Sequence, residues 1–569
     1  MKNIKSKLIA GAVIGLTFAS CAKLDRYPLS QGSSETWFTT PQEYEMAASD
    51  MYRGVWWDLA KEAWSDDYLY RKIAGPDIID GTLNSETNTA GSVELETVWT
   101  NLYKAIVRAN VIINNLERGE SAGVNKTLLD SYEGQARFAR ACHYGQLVFY
   151  WGDVVYVEKE TTIQESYTMS RTPKEEVIKK IYNDFDIAAE LLNVSNGGRQ
   201  VFTKGAAYAM KARYALYFGD YDVAAEAAKK CIDLDYYRLH PDYLAYFQAK
   251  NDKETVFGIP SSSELGVNTI GDSRSYVPRL VGGTAAKCPS WAIFASYECT
   301  DGKTIDKSPL FDSHNPFKNR DPRCTMSLVE FGTEHLGFEI DPRPSKTTVM
   351  NYSTGKKVKN KDSYPCTDVN ASFSGLYWEK RVAASWGKAG MTDIDKVIIR
   401  YADVLLIYAE AMIEQNKIDD SVLKAINMVR ARAYKCGVGE TTKYPAITTT
   451  DQTELRKIVR RERRVELAFE GLRYYDLIRW RIAEKALNVN NCGLCTDKTR
   501  AKQIESKGYW FWPVTPKIDE DGIPNFDELI AGKYCDVHSK GNFQPRQYLW
   551  PIPAREIIIN ENMTQNPGY

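Results

Sequence analysis

Two Ala-rich runs joined by a three-residue turn constrain this chain more than any other feature. Residues 204–218 and 222–234 carry apolar side chains at helical spacing, and Gly219-Asp220-Tyr221 between them allows only a tight reversal. Small residues at Ala206, Ala209, Ala224, Ala225 and Ala228 let the two helices approach closely. The pattern predicts a tetratricopeptide-type hairpin, which cannot bury its faces alone, so several such hairpins must stack into a superhelical scaffold. Residues 398–415 followed by 421–434 form a second candidate pair. Helical periodicity also marks 93–116, 128–151 and 177–192. Thr40-Pro41-Gln42-Glu43 and Thr172-Pro173-Lys174-Glu175 each place a hydroxyl, a proline and a carboxylate where a helix begins.

The expected fold is mostly α: a helical-hairpin scaffold over about 37–240 and 395–482, a loop-rich insert over about 241–394, and a C-terminal segment over about 483–569. In the insert, Ser, Gly, Pro, Asn and Asp punctuate the chain, periodicity fades, and aromatics stand isolated at Tyr276, Trp291, Tyr297, Tyr377, Trp378 and Trp386. Long irregular stretches in a compact protein are usually functional or disordered, and this aromatic density argues for order. The insert reads as a ligand-bearing subdomain on the scaffold, the whole of 21–569 forming a single domain.

The N-terminus gives an address. Lys2, Lys5 and Lys7 precede an apolar run from Leu8 to Ala19, closed by Phe18-Ala19-Ser20-Cys21. About 12 residues reach roughly 18 Å as a helix, against roughly 30 Å for a bilayer core, so the run suits a cleaved signal peptide over 1–20. A cysteine after small residues at that point is a bacterial lipobox, and lipid attachment is expected on Cys21. With 73 Lys plus Arg against 74 Asp plus Glu, the chain lacks the basic surface a nucleic-acid binder needs. Of eleven cysteines, Cys142 and Cys231 fall in helical patterns and read as buried apolar residues. Cys492-Gly-Leu-Cys495 lacks the second ligand pair of a zinc site, leaving a local disulfide or two free thiols.

Several motifs form an ordered series along the chain. Trp99-x3-Tyr103-x2-Ile106-x2-Ala109-Asn110 and Glu133-x3-Arg137-Phe138-x-Arg140-Ala141 lie near the start. Asp301-Gly302-Lys303, Arg320-Asp321-Pro322-Arg323 and Arg400-Tyr401-Ala402-Asp403 follow. Glu462-Arg463-x2-Glu466-Leu467-x2-Glu470-Gly471-x-Arg473 continues to Trp480, and Trp550-Pro551-Ile552-Pro553 and Asn566-Pro567-Gly568-Tyr569 end the series. Together, in number, order and spacing, these motifs resemble the SusD/RagB family of surface lipoproteins, and the resemblance implies a tetratricopeptide-like scaffold at the outer membrane, lipid-anchored and facing outward. It further implies a lid over a SusC-like TonB-dependent transporter that binds glycans, or in a minority peptides, without catalysis and without a cofactor.

The residues agree with binding. The five histidines show no H-E-x-x-H spacing, and neither G-x-S-x-G nor a phosphate loop occurs. Asp66, Asp67, Asp77 and Asp80 are the candidates if a glycosidase pair exists. A pyranose ring offers a C–H face to an aromatic ring and hydroxyls to polar side chains. Those residue types concentrate in two loops. Trp64, Asp66, Tyr68, Asp77 and Asn84 are the contact candidates in the first, and Tyr276, Arg279, Trp291, Trp378 and Arg381 in the second. Trp291, opening a helix after Pro289-Ser290, is expected to point outward. The mixed-sign helix around Arg460-Arg461-Glu462-Arg463-Arg464 reads as scaffold.

Overall fold

Helices form where the chain supplies a cap, a periodic apolar face and a stop. The computed structural model describes residues 37–57, 64–70, 89–198, 201–267, 270–365, 371–388 and 391–569. It places α1 at Pro41–Asp50, α2 at Val93–Ile113, α3 at Lys126–Trp151, α4 at Lys174–Leu191, α5 at Lys204–Phe218 and α6 at Tyr221–Asp233. A short α7 (Trp291–Ser296) precedes α8 (Tyr401–Glu414), α9 (Asp420–Ala433), α10 (Gln452–Glu466) and α11 (Arg473–Arg479). Among the described residues, no helix is long and apolar enough to cross a membrane.

The first cap forms as its sequence predicts. Thr40 accepts from the Glu43 amide, and the Glu43 carboxylate accepts from the Thr40 amide at 3.0 Å. The second is corrected: Thr172 bridges to Val154 in extended conformation, and the Asp153 carboxylate takes the Lys174 N–H at 2.9 Å. A tertiary neighbour supplies the acceptor that the local signature assigned to Thr172. The α5–α6 hairpin turns on Gly219, whose φ of 84° is left-handed, and its five small alanines are all buried. Where α3 meets α5, a Cβ on Gly145 would lie 2.7 Å from the Tyr214 ring, so glycine sets that close approach. Helices α2 to α5 pack in succession, α6 packs on α8, and α8 packs on both α9 and α10. Stacked hairpins of this kind are the expected mostly-α, tetratricopeptide-like scaffold.

The charged run at the end of α10 is scaffold. Arg463 reaches Asp403 at 2.9 Å and Asp476 at 3.1 Å, and Arg213 reaches Asp403 from α5 at 2.6 Å. Glu466 accepts from Arg400 at 2.7 Å and Arg323 at 3.0 Å, and also from Arg432. Glu470 accepts from Lys380 at 2.6 Å and Arg400 at 2.7 Å. Burial alone would raise both carboxyl pKa values. The guanidinium groups of Arg432, Arg400 and Arg323 hold Glu466 at about 2, and Arg400 with Lys380 holds Glu470 at about 2.

Short antiparallel strands decorate this frame. They include β1 (Tyr68–Tyr70), β2 (Thr255–Ile259), β3 (Lys287–Pro289), β4 (Thr333–His335), β5 (Phe338–Ile340), β6 (Thr348–Asn351), β7 (Lys356–Lys359), β8 (Lys396–Arg400), β9 (Asn490–Gly493) and β10 (Asp536–Lys540). Strands β4 to β7 form a meander, while β1 pairs with β3, β2 with β8, and β10 with β9. Two cores result. The helices share a large one rich in alanine and aliphatic residues, and the irregular segments build a second from Trp291, Phe294, Trp378, Trp386, Phe469 and Trp512 among others. Cys142 and Cys231 are buried in the first. No Cys492–Cys495 bond is formed, and both thiols are free and buried.

Candidate functional site

The two loops singled out by their side chains meet in space. Strands β1 and β3 pair in the register Tyr68↔Pro289, Leu69↔Cys288 and Tyr70↔Lys287. Beyond the strands, Ser290 donates its amide to Asp67 O at 3.0 Å and its hydroxyl to Asp66 O at 2.5 Å. Side chains two apart on a strand share a face, so Tyr68 and Tyr70 point one way. Leu69 points the other, into a small cluster with Cys288 and Phe373.

A 3-10 turn at Ser273–Tyr276 adds Tyr276 to the tyrosine face, 6.4 Å from Tyr68, 5.1 Å from Phe469 and 6.2 Å from Trp386 between ring centres. The Lys287 ammonium lies 5.9 Å from the Tyr70 ring, 5.3 Å from the Tyr276 ring and 3.4 Å from Asp272 Oδ2. Tyr70, Tyr276 and Lys287 are half-buried, so each keeps part of its surface in solvent. Beneath them Trp378 stacks on Phe469 at 4.3 Å and 7°. Arg381 lies 6.0 Å from the same ring and donates Nη1–H to Phe469 O at 2.9 Å.

Two further properties accompany this cluster, as they do other irregular parts of the molecule. Asp272, Ala285, Arg381 and Phe469 all have left-handed φ values, between 45° and 62°. Such non-glycine conformations cost roughly 1–3 kcal/mol each and persist where the surroundings impose them, often at binding sites. In addition, Trp378 Nε1, Trp386 Nε1 and Arg381 Nε have no hydrogen-bond partner among the described residues. The half-buried Tyr70 and Tyr276 rings, with Lys287 and Arg381 at their edge, can stack a half-polar ring and hydrogen-bond an oxygen-rich ligand.

The expected contact residues divide sharply. Tyr276 and Arg381 stand at the rim, and Arg279 is half-buried, its amide donating to Asp362 at 3.0 Å. Trp64, Trp291 and Trp378 are corrected: none is more than 1% exposed, so none offers a face to a ligand. Trp64 packs edge-on to Trp550 at 4.8 Å and to Tyr474 at 5.6 Å. Trp291 does open a helix capped by Ser290, but its indole turns inward, donates to Ser374 O at 2.8 Å and packs on Phe511 at 5.1 Å. An irregular segment has no helix face with which to exclude water, so it buries its largest rings to make a core of its own. Tyr68 is buried beneath Tyr276.

Asp66 is also corrected. Its carboxylate meets Arg464 and Arg473, each at 2.8 Å, and Asp67 meets Arg464 at 2.6 Å. Burial would raise the Asp66 pKa, but the two guanidinium groups outweigh it and leave the carboxyl below its usual range. Both aspartates therefore tie β1 to α10 and α11 through buried ion pairs. Asp77, Asp80, Asn84 and Cys21 lie outside the described residues. Lys287 and Phe469 fall outside the candidates, and Tyr70, within the first loop, is not among its named contacts. The Tyr-Leu-Tyr alternation was a signal for Tyr70, whereas Lys287 emerges only from the strand register. The described residues also contain no group of three or more His, Cys, Asp or Glu side chains that could hold a metal ion.

Stacked helical hairpins carrying a loop-built aromatic core define a tetratricopeptide-like class of helical proteins, and known proteins of the same architecture specify the family. The SusD family matches residues 253–569, and a family described as starch-binding and associating with the outer membrane matches residues 34–216. The chain belongs to the SusD/RagB family. It is 26% identical to SusD-like protein P2 of Formosa agariphila over 100% of both chains, and 23% identical to a SusD-like protein of Bacteroides ovatus over 99% and 98%. Among solved structures it resembles a SusD-like carbohydrate-binding protein from Bacteroides fragilis, with TM-score 0.74, 25% identity and coverage of 93% of this chain and 100% of that one. The fold also matches surface glycan-binding protein A from Bacteroides fluxus, with TM-score 0.62, 19% identity and coverage of 93% and 100%.

Proposed function

We propose that the chain is a non-catalytic surface protein that captures glycan oligomers and delivers them to a TonB-dependent outer-membrane transporter. The convergence of Tyr70, Tyr276, Lys287 and Arg381 on one strained, partly open cluster carries this reading. The phenol rings stack on sugar C–H faces, and the Lys287 and Arg381 cations take hydroxyl or carboxylate oxygens. Relatives described as carbohydrate- or glycan-binding support the choice of ligand. The ion pairing of Asp66 and Asp67 favours binding over hydrolysis by removing two candidate carboxylates.

The signal pattern and Cys21 support lipid anchoring, with the protein facing outward. For the partner, the C-terminal helix at Ala554–Ile559 supports a docking role. Its Ala554 amide donates to Ala90 O, and Asn560 beyond it donates to Ser166 O, so exposed Ile558 and Ile559 neighbour the segments carrying exposed Val93 and Ile163. The test is affinity electrophoresis and calorimetry of the lipid-free chain against polysaccharides and oligopeptides. Binding to one glycan class without released products is expected. Binding only to peptides would move the assignment to a peptide-uptake lid, and soluble products accumulating over time would make it an enzyme.

A further inference from the structure

Cys492 and Cys495 are three residues apart but face different surroundings. Cys495 packs with Ala501 and Ile504, and its sulfur accepts the Arg500 Nε–H at 2.6 Å. Cys492 instead belongs to the same aromatic core as Cys535, and both are buried. In the β9–β10 ribbon, Cys492 lies opposite Val537 and Gly493 opposite Asp536. Cys535, immediately before β10, is thus two residues from the partner of Cys492, and the side chains of both enter one core. Both thiols enter the same core, and each perturbs the titration of the other.

We propose that Cys492 and Cys535 are a disulfide-forming pair, joined when the folding chain meets a disulfide oxidant, and that Cys495 remains a thiol. The neighbouring Cys492 holds the Cys535 thiol below its ordinary pKa, and in the proposed exchange Cys535 is the first attacking group. With oxidised glutathione as oxidant, Cys535 loses its proton and its sulfur attacks one glutathione sulfur, expelling a glutathione thiolate. Cys492 then loses its proton and attacks the Cys535 sulfur of the mixed disulfide, expelling the second glutathione. Two protein thiols and one oxidised glutathione give one protein disulfide and two reduced glutathiones. Burial restricts this exchange to folding or to local opening of the ribbon.

The bond would fix more than the ribbon. Leu494 donates its amide to Phe373 O at 2.6 Å, and Trp291 donates to Ser374 O, so β9 supports the loop leading to Trp378 beneath the candidate site. The full chain carrying Cys21→Ser is unfolded in reductant, refolded in a reduced/oxidised glutathione buffer, alkylated and mapped by mass spectrometry. A peptide pair joining Cys492 to Cys535 is expected, with Cys495 alkylated. The oxidised form should melt about 3 °C above the reduced one, a shift lost in Cys535→Ser. Cys495→Ser should leave the linkage intact. A Cys492–Cys495 linkage, or alkylation of both Cys492 and Cys535 in the refolded chain, would overturn the proposal.

Discussion

The helical scaffold and the loop-bearing half solve burial in opposite ways. In the scaffold, small alanines let helices approach, and the polar groups that must be buried are gathered into ion-pair networks around α10 and α11. In the loop half, large rings fill space that no regular element defines, and left-handed residues hold them in place. The same residue type consequently means different things in the two halves. An arginine in the scaffold is part of a network, whereas a tryptophan in the loops is core and the smaller tyrosines form the rim. Ligand contact is therefore a property of what remains partly open after the loop core has formed, not of the largest aromatic present.

The comparison breaks most readily at the network. Glu466→Gln leaves the facing Arg400, Arg432 and Arg323 without their shared charge. It should destabilise the fold by about 3–5 kcal/mol in urea unfolding, as loss of one partner of a buried pair does. A loss below about 1 kcal/mol would show that the network is dispensable.

Acid probes the same groups without mutation. Glu466 and Glu470 titrate near 2 in the fold, below the roughly 4.3 of an unfolded glutamate. Their contribution is complete above the unfolded value and is lost as pH falls toward about 2. Denaturant midpoints should thus decline from about pH 4.5 downward, and Glu466→Gln should flatten that decline. An identical decline in the variant would place the acid-labile groups elsewhere. A smaller effect is expected at the corrected cap: Asp153→Ala removes the acceptor of the Lys174 amide and should cost about 1 kcal/mol. Thr172→Val, which keeps the extended backbone, should cost less, and the reverse order would restore the local cap.

How much of this the sequence showed follows from where the information resides. The α5–α6 hairpin was legible because its period, glycine and alanines all lie within thirty-one consecutive positions, 204–234. The meeting of the two loops was legible only through composition, since its cause is the long-range β1–β3 pairing. Orientation was not legible. Trp291 and Tyr276 read alike as isolated aromatics, and only the packing of Phe511, Trp512 and Phe526 around the first decides which turns inward. Asp66 was hidden for the same reason, because Arg464 and Arg473 lie some four hundred residues away in sequence.

The most direct test sets one rim residue against one core residue on the same ligand. Once the screen has identified a glycan, Tyr276→Ala and Trp291→Phe are each titrated with it by calorimetry. The account predicts at least about a tenfold loss of affinity for Tyr276→Ala, which is roughly 1.4 kcal/mol, and unchanged affinity for Trp291→Phe. Undiminished binding by Tyr276→Ala, with loss in Trp291→Phe while its fold is intact, would contradict the assignment of the rim as the ligand platform.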